Sequence, residues 1–147
     1  MKFFQHTITA ITLSVCATTV FAADDIGNYS IADAMQSENA KNILGTNIKF
    51  YFGDQPHGTI TKEFVEHTSR KKTNGSNKSD KDACEWALLS NLKEFKEDAE
   101  KVGANAVVNI RSKYKNNITS STETFKCASG MLMSDVSLVG DIVTIKE

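Results

Sequence analysis

Between Ser79 and Gly103 the apolar positions Cys84, Leu88, Leu92, Phe95, Ala99 and Val102 recur every three or four residues, while Lys93, Glu94, Lys96, Glu97, Glu100 and Lys101 occupy the other side. That period predicts a helix with one buried stripe. Ser79 or Asp80 can accept hydrogen bonds from the free amides of its first turn, and Gly103 can end it in a left-handed conformation. The expected helix runs to about Val102 and is the longest element of the chain.

Elsewhere the period is closer to two. Alternation and aromatic content predict strands over residues 48–52, 59–67, 104–114, 121–133 and 136–145. Residues 53–58, with Gly53, Pro56 and Gly58, read as a turn that would join the first two strands as a hairpin. Asn116 and Asn117 mark a later turn, and Ser134 and Asp135 another. Ser30 can cap a short helix through Ile31, Ala34, Met35 and Ile43, with Gly45 just past its end. The fold class expected is α+β: one long helix packed on a mainly antiparallel sheet of about five strands, with a short N-terminal helix. Residues 68–82 are polar and contain no aromatic side chain, so they read as an exposed loop.

The first residues have a different pattern. Lys2 supplies a short positive region, and from Phe3 to Phe21 every side chain is apolar, small or neutral, with no acidic residue. Such a profile belongs to a cleavable export signal. Val20, Phe21 and Ala22 precede the acidic pair Asp24 and Asp25, which places cleavage between Ala22 and Ala23. A membrane anchor is disfavoured because His6 and several Thr and Ser residues interrupt a stretch that would need about 20 mostly apolar residues. A lipoprotein is disfavoured because Val15 stands before Cys16, where Gly, Ala or Ser is required. Residues 23–147 then form a single α+β domain, long enough to bury a core.

Charge narrows the partners. The chain has 17 basic and 18 acidic residues and a formal net charge of -1. That balance gives no electrostatic footprint for nucleic acid. Arg70, Lys71, Lys72, Lys78 and Lys81 are a local basic cluster, but without stacking residues they read as a solvated surface. No later stretch reads as a membrane span.

Two cysteines survive processing, Cys84 and Cys127. In an exported domain an even count points to a disulfide. The phases agree: Cys84 lies on the apolar stripe of the long helix, and Cys127 alternates in register with Phe125 on the sheet face that should meet it. A redox pair would favour Cys-x-x-Cys, which is absent. A metal site built from Cys84, Cys127 and His57, with His67 as a further donor, is the competing reading, although zinc motifs supply ligands in closely spaced pairs.

Catalytic motifs are not found. Gly53 and Gly58 have the spacing of phosphate-loop glycines, yet Thr59 and Ile60 follow where Lys and Ser or Thr are needed. There is no nucleophile elbow and no His-Glu-x-x-His. His57, Lys71, Lys72 and Trp86 are the side chains that could line a binding surface.

Several segments carry a resemblance. They are Lys49-Phe50-Tyr51-Phe52-Gly53 with Gln55 and His57, Lys71-Lys72-Thr73-Asn74, Asn77-Lys78-Ser79-Asp80, Ala83-Cys84-Glu85-Trp86-Ala87, Gly103-Ala104-Asn105-Ala106-Val107-Val108-Asn109-Ile110, and Phe125-Lys126-Cys127 followed by Gly130. Over nearly all of residues 23–147 the chain resembles small exported bacterial proteins commonly labelled excinuclease ATPase subunit. The label is a misnomer, because an excision-repair ATPase needs nucleotide-binding motifs. The helix ending in Gly-Ala-Asn-Ala-Val before strands is also similar to a ring-forming family labelled heavy-metal-binding, and to the disulfide-containing sensor lipoprotein of the Rcs envelope-stress pathway. These likenesses imply a helix-on-sheet fold and leave the ligand open.

The sequence thus predicts a periplasmic or secreted, non-enzymatic binding, structural or sensing domain stapled by Cys84 and Cys127. It needs no cofactor, and its partner is a protein or envelope component. The first alternative is a periplasmic metal-binding protein using Cys84, Cys127 and His57. The second is an envelope hydrolase with a cleft near His57 and the Lys71 segment.

Overall fold

The computed structural model describes residues 25–147, so the expected export signal and the expected cleavage residues Ala22 and Ala23 lie outside the described residues. The elements in chain order are β1 (Asp25–Ser30), α1 (Ile31–Gln36), α2 (Glu38–Leu44), β2 (Lys49–Phe52), β3 (Thr59–Asn74), α3 (Asp80–Lys101), β4 (Ala106–Tyr114), β5 (Asn117–Thr119), β6 (Thr124–Ser129) and β7 (Met133–Lys146). The α+β expectation holds, with α3 packed on one face of the sheet.

The sheet has seven strands rather than about five. β7 organises it. β3 pairs antiparallel along the whole of one edge, from Thr59 opposite Lys146 to Asn74 opposite Met133. The other edge is shared in succession by β6, at Ser134 and Asp135, and by β4, from Leu138 to Val143. β1 extends the sheet beyond β6, and β2 lies beyond β4.

Several expectations are corrected. The strand expected over 121–133 is only β6, and the turn expected at Ser134 and Asp135 lies within β7, the chain reversing at 130–132 instead. The hairpin of the first two strands does not form: β2 runs parallel to β4, and the Gly53 amide donates to the Ile110 carbonyl on that strand at 2.9 Å. The exposed loop over 68–82 shrinks to residues 75–79, because Thr68 to Asn74 continue β3 and Asp80 already begins α3. The backbone pairs available on β7 outweigh the polar side chains there. The N-terminal helix is broken in two at Ser37, whose hydroxyl donates to the Ala34 carbonyl and accepts from the Ala40 amide, closing one helix and opening the next.

Helix α3 is capped as its sequence predicts. The Ser79 hydroxyl accepts from the Asp82 amide at 3.1 Å, and Gly103 has φ +74°. Leu88, Leu92, Phe95 and Ala99 are fully buried against Val107, Ile110, Leu138 and Ile142. Burying each large side chain contributes about 1.5–3 kcal/mol. Val102, expected on the stripe, is instead exposed as the C-cap.

Val107 and Ile110 both face α3 although they are three residues apart. Asn109 resolves the phase problem with φ +53° at a bulge between Val108 and Arg111, and its amide donates to Asp141 at 2.9 Å. Gly140 makes room beneath: a Cβ there would lie 3.0 Å from Val107 Cγ1 and 3.2 Å from Ile110 Cγ1. On the sheet face away from α3, Ala106, Val108, Val143 and Ile145 form a smaller core closed by Tyr51 and Ile60. That core covers one end of the face and leaves the other end open.

Candidate functional site

Cys84 in the first turn of α3 and Cys127 on β6 form a disulfide, with Cα atoms 5.9 Å apart and both residues buried. The metal site of Cys84, Cys127 and His57 is therefore not assembled. Its two sulfurs are bonded to each other. His57 sits in the 53–58 connection, beyond the end of β7 opposite Cys127's neighbours, with Nδ1 2.7 Å from the Gly58 carbonyl and its ring edge-on to Tyr51.

The four side chains proposed for a binding surface do not converge. Lys71 projects to the helix side, where its ammonium lies 2.7 Å from Glu94. Lys72, the next residue along the strand, projects to the opposite face. Trp86 is exposed on α3, with the Lys78 ammonium 6.0 Å from its ring. His57 lies roughly 35 Å of strand away from Lys71, because Thr59 pairs with Lys146 and Lys71 with Val136. The cleft that a hydrolase would need between them is not formed.

A titratable cluster that motif reading missed lies where β3 crosses α3. His67 Nε2 is 3.0 Å from Asp98 and 4.0 Å from Glu94, and the three donor atoms lie within 4.8 Å of one another. The ring packs edge-on to Phe95. His67 Nε2 is buried without a well-aligned hydrogen bond. Both carboxylates are already engaged: Glu94 by Lys71 and the Ser69 hydroxyl, Asp98 by Lys101. The Lys71 contact first, and the Ser69 hydrogen bond second, hold the Glu94 carboxyl below its ordinary range. A divalent ion could take one oxygen from each carboxylate and His67 Nε2. Without one, the cluster is an ion-pair network joining β3 to α3.

The other feature is at the open end of the sheet. There the 75–79 turn, the β4–β5 turn at Lys115 and Asn116, and the β6–β7 tip at 130–132 come together with the start of β1. The tip is apolar and outward: Met131 is 93% exposed and Leu132 70%. Lys72, Arg70, Asp25, Asp80, Asp135 and the tip line one groove. Arg70 also borders a second groove of about 490 Å³ on the face away from α3, with Lys113, Tyr114, Lys115 and Lys126. Arg70 forks onto Asp135 through both carboxylate oxygens. The tip residues Met131 and Leu132 fell inside the strand expected over 121–133, so sequence pattern gave no separate signal for them.

No protein-family model, curated protein or solved structure matches the chain. Among the described residues, no helix is long and apolar enough to cross a membrane.

Proposed function

We propose that the chain is an exported, non-enzymatic domain of the cell envelope, stapled by Cys84 and Cys127, that binds its partner through the open end of the sheet. The observation that carries this reading is the tip: the exposed Met131 and Leu132 stand next to a groove lined by the charged side chains Arg70, Lys72, Asp25, Asp80 and Asp135. Apolar side chains grouped at a protruding turn are the ordinary signature of a contact surface. The disulfide supports export, since such bonds persist in oxidising compartments. The resemblance to the exported family with the excinuclease label, and to the envelope-stress sensor, supports the same placement.

A photo-crosslinking side chain placed at Met131, and in a control at Lys93 on the exposed face of α3, tests the reading in cells expressing the full chain. Adducts at position 131 and none at 93 are expected. Equal labelling at both positions, or none at 131, would overturn it.

A further inference from the structure

The lysines of this protein differ in how they are neutralised. On the helix side Lys71, Lys81, Lys93 and Lys101 are each paired, with Glu94, Asp33, Glu97 and Asp98. At the open end of the sheet, Lys72, Lys113, Lys115 and Lys126 make no ion pair among the described residues; Lys62, Lys96 and Lys146 elsewhere make none either, but Lys113, Lys115 and Lys126 line one groove together. The Lys126 ammonium reaches only the Asn28 side-chain oxygen at 3.3 Å, and that of Lys115 lies 5.6 Å from the Tyr114 ring. Asp135 is the carboxylate lining the groove of Lys113, Lys115 and Lys126, and Arg70 already holds it; Lys72 lines the neighbouring groove together with Asp25, Asp80 and Asp135.

A chain of net charge -1 has enough acid to neutralise these groups. It places little of that acid beside Lys113, Lys115 and Lys126. Clustering unpaired like charges costs folding free energy through mutual repulsion, which an external anion would relieve. The groove also presents hydroxyl groups from Thr68, Tyr114 and Ser137 beside the lysines, a mixture of cationic and neutral donors suited to phosphoryl oxygens.

A soluble phosphate would account for the groove but not for the neighbouring tip. Met131 and Leu132 gain nothing from a small polar ligand, whereas they would lose water contact on entering the headgroup and acyl boundary of a bilayer. Resting on the binding role proposed above, we infer that the partner at this end is an anionic phospholipid surface. Met131 and Leu132 insert into it, and Lys113, Lys115 and Lys126, with Lys72, sit over the lipid phosphates. The geometry favours this because the tip and the β4–β5 turn leave the sheet at the same end: Ser112 pairs with Leu138, so β4 runs toward the start of β7, where the tip begins.

The test is co-sedimentation of the protein recovered from the exported fraction, with vesicles of phosphatidylcholine alone or mixed with phosphatidylglycerol. Retention on the mixed vesicles, falling with added salt, and none on phosphatidylcholine alone is expected. Each lysine near such a surface strengthens binding roughly fivefold, so the double substitution Lys113→Gln, Lys115→Gln should weaken retention roughly 25-fold. Leu132→Glu should weaken it about tenfold or more. Both variants alter exposed or half-buried positions, and unchanged thermal melting would show that they fold.

Equal retention on both vesicle types, or none on either, would overturn the lipid assignment. So would binding of glycerol phosphate that the Lys113 and Lys115 changes abolish but Leu132→Glu leaves intact, since that marks a soluble phosphate ligand. Position-131 adducts to a protein without vesicle retention would remove the lipid and leave the binding role standing; neither signal would remove both.

Discussion

Arg70 grips Asp135 across the β3–β7 pair, with Nε 3.0 and 2.8 Å from the two carboxylate oxygens. Asp135 thereby neutralises a guanidinium that would otherwise join the unpaired lysines beside it. Asp135→Ala should free Arg70 and raise retention on phosphatidylglycerol vesicles by roughly fivefold. Because Arg70 is largely exposed, stability should change by no more than about 1 kcal/mol in urea unfolding. Reduced retention would contradict the assignment of this groove.

The Cys84–Cys127 bond links residues 43 apart in sequence. Restricting the unfolded chain by a loop of that size contributes about 4 kcal/mol in the chain-entropy model. The double variant Cys84→Ala, Cys127→Ala should therefore show a urea midpoint far below that of the oxidised protein. It should also be insensitive to reductant, whereas the wild type should lose stability when reduced.

Asn91 is fully buried in α3 and donates its amide to the Ala87 carbonyl at 2.8 Å and to the Val136 carbonyl at 3.0 Å. The second bond ties the helix to β7. Asn91→Ala leaves the Val136 carbonyl without that donor and should cost about 1–3 kcal/mol by chemical denaturation. A loss below that range would mean that water replaces the amide.

Acid should weaken the junction of β3 and α3. The Glu94 carboxyl is held below its ordinary value of 4.5, chiefly by Lys71 and then by the Ser69 hydroxyl. A carboxyl depressed in the folded state contributes stability above its unfolded value and loses it as pH falls through the folded value. The wild type should therefore lose a stability increment below about pH 4.5 that Glu94→Gln does not show. Lys71→Met should lose its own smaller increment at higher pH than the wild type. Identical pH profiles for all three proteins would contradict this origin.

Much of the fold was legible because α3 announces itself three times: by its stripe, by Ser79 and by Gly103. The same stripe put Cys84 in phase with Cys127. β1 was not legible, since Asp25 to Ser30 has a single β-branched residue, Ile26, and is a strand only because β6 offers it a backbone ladder. The second half of β3 was hidden for a similar reason. Its alternation sets His67, Ser69 and Lys71 toward α3 and Thr68, Arg70 and Lys72 away from it, so the period is written in polar side chains.

The site was less legible than the fold. Lys72 was found, but its neighbours in space, Met131 and Leu132, were absorbed into an expected strand over 121–133. His57 and Trp86 were singled out for their chemistry, yet strand register and helix phase carry them elsewhere. The His67, Glu94 and Asp98 cluster spans two elements whose crossing no local pattern specifies.

Which partners this domain can meet depends first on where it works, so the most direct measurement is the intact mass of protein from the exported fraction, before and after alkylation without reductant. The account predicts a mass beginning at Ala23, two hydrogens lighter than the reduced chain and unchanged by the alkylating agent. A mass that retains residues 1–22, or two thiols that alkylate in the native protein, would contradict it.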